Sequence, residues 1–211
     1  MSNANKLSKI NEPISTLRKI QKIASNSIIA GGYFRDKFSD VPYNDIDIYI
    51  QPTYQKAALN NDVCDKEYWK GFFNLKVDDY GSMDNIAELG ETDEEYDIIN
   101  NNNIITVFEM TRNELRYNLI IINIDPIKYV EELFDFGICK NYCDGKKVTF
   151  TKEFMSDIEH KRLTFTDRAV SDANLNHAIN VHLPKLQHKY PNFTVVFPPK
   201  YQKKYQQYKS T

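Results

Sequence analysis

Two carboxylates two residues apart, Asp45 and Asp47 in NDIDIYI, are the first candidates for chemistry in this chain. The stretch alternates polar and apolar residues and reads as a strand. Alternate strand residues face one side, so both carboxylates project together while Ile46, Ile48 and Ile50 turn away and can pack on helices. Carboxylates held this close repel, and each raises the other's pKa unless a cation sits between them. A divalent ion relieves that repulsion, and hard oxygen donors favour Mg²⁺ or Mn²⁺ over zinc. The same D-x-D spacing also suits the solvent face of an edge strand, so the pair alone does not define a site.

The preceding residues add the missing half. IIAGGYFRDKF puts Gly31 and Gly32 after a short apolar strand and before a short helix carrying Arg35 and Asp36. Backbone N–H groups at such a junction can approach a phosphate with no Cβ in the way. The order is strand, glycine pair, Arg-Asp helix, then D-x-D on the next strand. In that order the glycines can cradle the β- and γ-phosphates of a triphosphate. The carboxylates then hold the metals that bridge it to an attacking hydroxyl.

Other elements must position these residues. ISTLRKIQKIA spaces Ile14, Leu17, Ile20 and Ile23 three apart, as on one helix face. Residues 52–75 read as a helix and a loop, with Trp69 in the core. NIITVFEM and LRYNLIIINI read as strands of a hairpin turned by TRNE. PIKYVEELFDFGICK opens a helix at Pro126, with Asp125 as its cap. KKVTF is a short strand, EFMSDIEHKRL a helix, and 168–190 a longer helix interrupted at Pro184. Residues 1–12 are expected to be flexible. The acidic stretch 77–97 is expected to be a solvated insertion loop without EF-hand ligand spacing.

Composition excludes several classes. With 27 Lys+Arg against 29 Asp+Glu, the formal net charge is -2, so no global field draws the chain to nucleic acid. The longest apolar run, LIIINI, is too short to cross a bilayer, and MSNANKLSKI lacks a signal-peptide core. A cytoplasmic protein is expected, with Cys64, Cys139 and Cys143 as reduced thiols.

GGYFRDKFSDVPYNDIDIYI resembles the signature of the polymerase-beta-type nucleotidyltransferase superfamily. It is most similar to the head of class II CCA-adding enzymes and bacterial poly(A) polymerases, whose pattern is GG-x-V-R-D-x-L followed by D-x-D. Phe34 and Phe38 stand where that pattern has Val and Leu. The resemblance extends over residues 26–163. It implies that Asp45 and Asp47 are the catalytic, metal-binding pair, and that Gly31, Gly32, Arg35 and Asp36 serve the nucleotide. In VEELFDFGICKNYCDG it puts Asp135 in the nucleotide pocket, and in SDIEHKRL it matches Asp157 and Lys161. Two departures stand out. Leu133 and Phe134 occupy the place of paired arginines, and Asn118 occupies that of a third carboxylate, for which Glu109 and Asp125 are the nearby substitutes.

The expectation is therefore an α/β (α+β) protein: a small, mixed, largely antiparallel sheet flanked by helices over 13–163, then a helical extension and basic tail over 164–211. The expected activity is Mg²⁺- or Mn²⁺-dependent transfer of NMP from an NTP to a hydroxyl of RNA, protein or a small molecule. The alternative is a catalytically degenerate nucleotide- or RNA-binding module of the same fold. Fewer than fifty residues follow Leu163, too few for a tRNA-measuring body, so a small stand-alone transferase is expected. His177 and His182, five apart, do not share a face of an α-helix, so a metal pair is not expected, and with His188 they are expected at the surface or at an interface. Tyr201, Tyr205 and Tyr208 among lysines could stack on bases, or lie in a disordered, merely soluble tail.

Overall fold

The computed structural model describes residues 3–52, 63–75, 85–89, 102–167 and 171–209. The order begins α1 (Asn3–Ile20), β1 (Ile28–Ala30), α2 (Gly32–Phe38), β2 (Ile46–Ile50), α3 (Lys66–Phe73) and β3 (Asn85–Glu88). Next come β4 (Ile104–Arg112), β5 (Leu115–Ile122), α4 (Pro126–Leu133), a 3₁₀ turn (Gly137–Cys139), β6 (Asn141–Cys143) and β7 (Val148–Phe150). The chain closes with α5 (Lys152–His160), β8 (Arg162–Thr164), α6 (Asp172–His177), a π-helical turn (Ala178–His182), α7 (Leu183–Lys189), β9 (Thr194–Val196) and α8 (Pro199–Lys209).

Seven strands form one sheet in the order β3-β4-β5-β2-β1-β6-β7. Only β2 and β5 run parallel; the other neighbours are antiparallel. The β4–β5 hairpin turns at Asn113 and Glu114, both at positive φ, as a two-residue turn matched to strand twist requires. This is the mixed, largely antiparallel sheet that the sequence predicts.

The strand alternation sorts the two faces. Ile46, Ile48 and Ile50 of β2 join Tyr117, Leu119 and Ile121 of β5 under α1 and α3. Leu17 and Ile20 of α1 are fully buried there, each contributing about 1.5–3 kcal/mol through burial. Trp69 is fully buried as well, its indole donating to the Val63 carbonyl at 2.8 Å. Tyr49, Ile120 and Ile122 lie on the opposite face with Tyr129 and Val130 of α4. A separate core of Phe136, Phe154, Phe165, Leu175, Leu183 and Phe197 ties the 3₁₀ turn and α5 to the C-terminal helices.

Several expectations change. The first helix begins at Asn3, with Pro13 inside it rather than at its start. The acidic stretch 77–97 supplies β3, an edge strand paired with β4, because Ile86 packs against the core from the sheet's margin. The remainder of that stretch lies outside the described residues. β8 and β9 pair in parallel, joining residues on both sides of position 163. The tail is helical: Tyr201 meets Phe165 edge-on at 5.3 Å and Tyr205 stacks on Phe197 at 4.4 Å. Those rings are spent on the core rather than offered to bases. Among the described residues no helix is long and apolar enough to cross a membrane.

Candidate active site

A cavity of about 650 Å³ opens between the central strands β1, β2 and β5 and the helices α6 and α7. Its strand-built wall carries Asp45 and Asp47, side by side as the alternation predicts. Asp47 aligns with Asn118 across the parallel β2–β5 pair, and Asn118 aligns with Glu109 across β5–β4. Asn118 donates through Nδ2 to Asp47 Oδ1 at 2.9 Å. The half-exposed Arg116 guanidinium lies 3.1 Å from Glu109 and 4.0 Å from Asp45. Glu109 is thus tied to Arg116, and Asp125 caps α4 by accepting from the Lys128 N–H at 2.9 Å.

The glycine pair enters at the end of β1. Gly31 has φ +79°, and a Cβ there would sit 3.3 Å from Asp47 Oδ2. Both the backbone conformation and the close approach to the carboxylate call for glycine. Gly32 starts α2, whose Arg35 and Asp36 turn inward. Asp36 is fully buried and accepts from Arg35 Nε at 2.6 Å, Lys189 Nζ at 2.5 Å and Tyr190 OH at 2.9 Å. Its carboxylate holds together Arg35 and Lys189, the cations that line the cavity beside it. Arg35 also donates to Cys139 Sγ at 3.2 Å. Burial pushes the Cys139 thiol up to about 11, with Arg35 opposing the shift. The same burial raises Tyr190 to about 12, again against Arg35.

Of the opposite wall the sequence announced Asp135 alone. Asp135, in the loop after α4, meets His182 Nδ1 at 2.5 Å, and His182 Nε2 lies 3.1 Å from His177 Nε2. All three residues line the cavity, together with Lys185 and Lys189. The expectation that His177 and His182 lie on separate helical faces fails because the helix is not α throughout, although both stay partly exposed. Five residues turn through about 140° beyond a full α-helical turn, which separates their faces. The π turn at Ala178–His182 bonds i to i+5 and brings the two rings together. The one signal was Pro184. It has no N–H for the Asn180 carbonyl and crowds it, which favours a wider turn just before. Burial pushes the Tyr49 phenol well up, and nearby Asp47 and Asp135 push it further, so this ring sits between the two walls.

Phe134 packs on Tyr49 and Tyr129 and closes over Gly31. Asp157 is structural. Buried to 2% exposure, it accepts from the Thr164 N–H at 3.1 Å beside Gly137. Lys161 ends α5 at φ 50°.

The fold is that of the polymerase-beta-type nucleotidyltransferases. The Thermotoga maritima CCA-adding enzyme complexed with tRNA aligns over 94% of this chain and 42% of its own, at 15% identity and a TM-score of 0.54. A CCA-adding enzyme solved with ATP aligns over 89% and 39%, at 15% identity and 0.51, and a tRNA-processing enzyme in an apo form over 93% and 46%, at 13% and 0.51. The chain thus spans less than half the length of these neighbours. The chain belongs to the Gabija anti-defense 2 (Gad2) family, whose profile matches residues 4–161. A search of curated proteins finds no match.

Proposed function

We propose that the protein transfers a nucleotidyl group from an NTP to an acceptor hydroxyl, with Asp45 and Asp47 as the catalytic carboxylates. The observation that carries this reading is the pair's position at the start of β2, Asp45 just before the strand and Asp47 within it, beside the positive-φ Gly31 and lining the cavity. Gly32, at the start of α2, offers a backbone donor to the β- and γ-phosphates, as helix starts do for anions, while Gly31, whose own N–H donates to the Asn141 carbonyl at 3.4 Å, lets the chain pass close to them without a Cβ. Arg35, held by Asp36, and Asp135 shape the space for the nucleotide.

Among the described residues no three His, Cys, Asp or Glu side chains converge to hold a metal. Two carboxylates still suit Mg²⁺, which binds through one or two such groups, with water and substrate phosphates completing its shell. Asp45 and Asp47 would hold it, and the bound ion would neutralise charge on the triphosphate and activate the acceptor oxygen. Asn118 keeps Asp47 oriented without adding a third negative charge.

A second reading, nucleotide binding without transfer, is supported by the two donors from β5. Asn118 bonds Asp47 and Arg116 lies near Asp45, so both carboxylates have neighbours that lessen their need for metal. The family description, Gabija anti-defense 2, suggests an acceptor or target within that defense. The test is pyrophosphate release from each of the four NTPs with Mg²⁺ or Mn²⁺, in cell extract, beside an Asp45→Asn/Asp47→Asn variant. Release that requires both aspartates supports transfer, and a labelled nucleotide then finds the acceptor. NTP binding without release supports the second reading.

A further inference from the structure

Strand β5 brings donors to the face on which β2 brings carboxylates. Arg116 and Asn118 are alternate residues of β5, so they project from the same side of the sheet. Asn118 donates to Asp47 Oδ1 at 2.9 Å, and the NH₂ group it turns to the carboxylate has no lone pair for a metal. The Arg116 guanidinium lies 3.1 Å from Glu109 Oε2 and 4.0 Å from Asp45 Oδ2. Glu109, Arg116 and Asp45 thus form a row of alternating charge across β4, β5 and the start of β2.

That row limits how much further positive charge the carboxylates can take. A guanidinium keeps its charge and offers no lone pair to a metal. Arg116 offsets part of the charge on Asp45 and Glu109, and it repels a divalent ion brought between them. Glu109, the acidic side chain nearest to completing a second ion's shell, is already engaged with Arg116. One ion shared by Asp45 and Asp47 gains from both carboxylates and relieves their repulsion. Arg116 is half-exposed, so its pairing adds little to stability, and its charge acts on the cavity it lines.

We propose that the site holds a single divalent ion, shared by Asp45 and Asp47, and that Arg116 is the second positive charge where a two-ion clamp would have a second metal. The proposal rests on the nucleotidyl-transfer reading above and sets its metal requirement. Arg116 is a positioning residue rather than a ligand: it fixes a charge beside Asp45. Asn118 does the corresponding work for Asp47 by orienting it.

Manganese counts the ions. The full chain is titrated with Mn²⁺ beside an ATP analogue carrying a methylene between its α- and β-phosphorus atoms, and free Mn²⁺ is read by electron paramagnetic resonance. Wild type should bind one Mn²⁺ per chain in this complex, and Arg116→Gln should bind two. Without nucleotide, Arg116→Gln should hold its first Mn²⁺ about tenfold more tightly, the scale on which one nearby charge acts. Arg116→Lys keeps the charge and should behave as wild type. Two ions in wild type, or one ion held no more tightly in Arg116→Gln, overturn the proposal while leaving the aspartates as metal ligands. Absence of Mn²⁺ binding, or binding that survives Asp45→Asn/Asp47→Asn, overturns the transfer reading and the single-ion site with it.

Discussion

The two walls of the cavity are built by different rules. The strand wall is local: Asp45 and Asp47 face the same way because a strand alternates, and their hydrophobic neighbours anchor it in the core. The helical wall is long-range: Lys189 reaches Asp36 across 153 positions, and His182 reaches Asp135 across 47. Chemistry can therefore be lost from the first wall with little change in stability. The second wall couples the site to the integrity of the fold.

The largest effect should fall on the strand wall. Asp45→Asn/Asp47→Asn should lower pyrophosphate release by at least about 10²–10³-fold, the scale on which one preorganised electrostatic partner acts. Its urea unfolding curve should stay near wild type, and a large loss of stability would erase the contrast between the walls. Asp36→Ala should do the reverse. It strands Arg35 and Lys189 in a buried site, costing about 3–5 kcal/mol in urea denaturation.

Gly137→Ala probes the junction beneath the helical wall. The added Cβ would lie 2.7 Å from Asp157 Oδ2, so a loss of about 1–3 kcal/mol is expected in the same assay. Asp157 gives a smaller, pH-dependent signature. Burial raises its carboxyl above the usual range despite the Thr164 and Ile138 bonds. A raised folded pKa means the folded state binds the proton more tightly than the unfolded chain. Its charge therefore costs stability above the unfolded pKa, and that cost is relieved as pH falls through the folded value. The stability of wild type relative to Asp157→Asn should accordingly rise between pH 7 and 4. Smallest of all, Arg116→Gln removes a half-exposed pairing with Glu109 and should change stability by no more than about 1 kcal/mol.

Much of the strand wall was legible before the fold was known. GG and D-x-D carry their geometry in spacing alone, and the family resemblance had put Asn118 in the place of a third carboxylate on LRYNLIIINI. The short strands β6, β8 and β9 escaped notice because three residues give periodicity too little length to register. The C-terminal tyrosines misled for a related reason. Their spacing among lysines suits a base-stacking surface, yet the apolar partners they chose, Phe165 and Phe197, lie far upstream or beyond a turn.

By itself, then, the sequence determined the sheet's amphipathic faces, the glycine junction and the shared side of Asp45 and Asp47, since each depends on neighbours within a few residues. Only the tertiary structure decided that Asp36 would be buried among Arg35, Lys189 and Tyr190, and that a π turn would join His177 to His182 and Asp135. Those groups are brought together by packing between distant segments, and no local period records which charge a buried carboxylate will find.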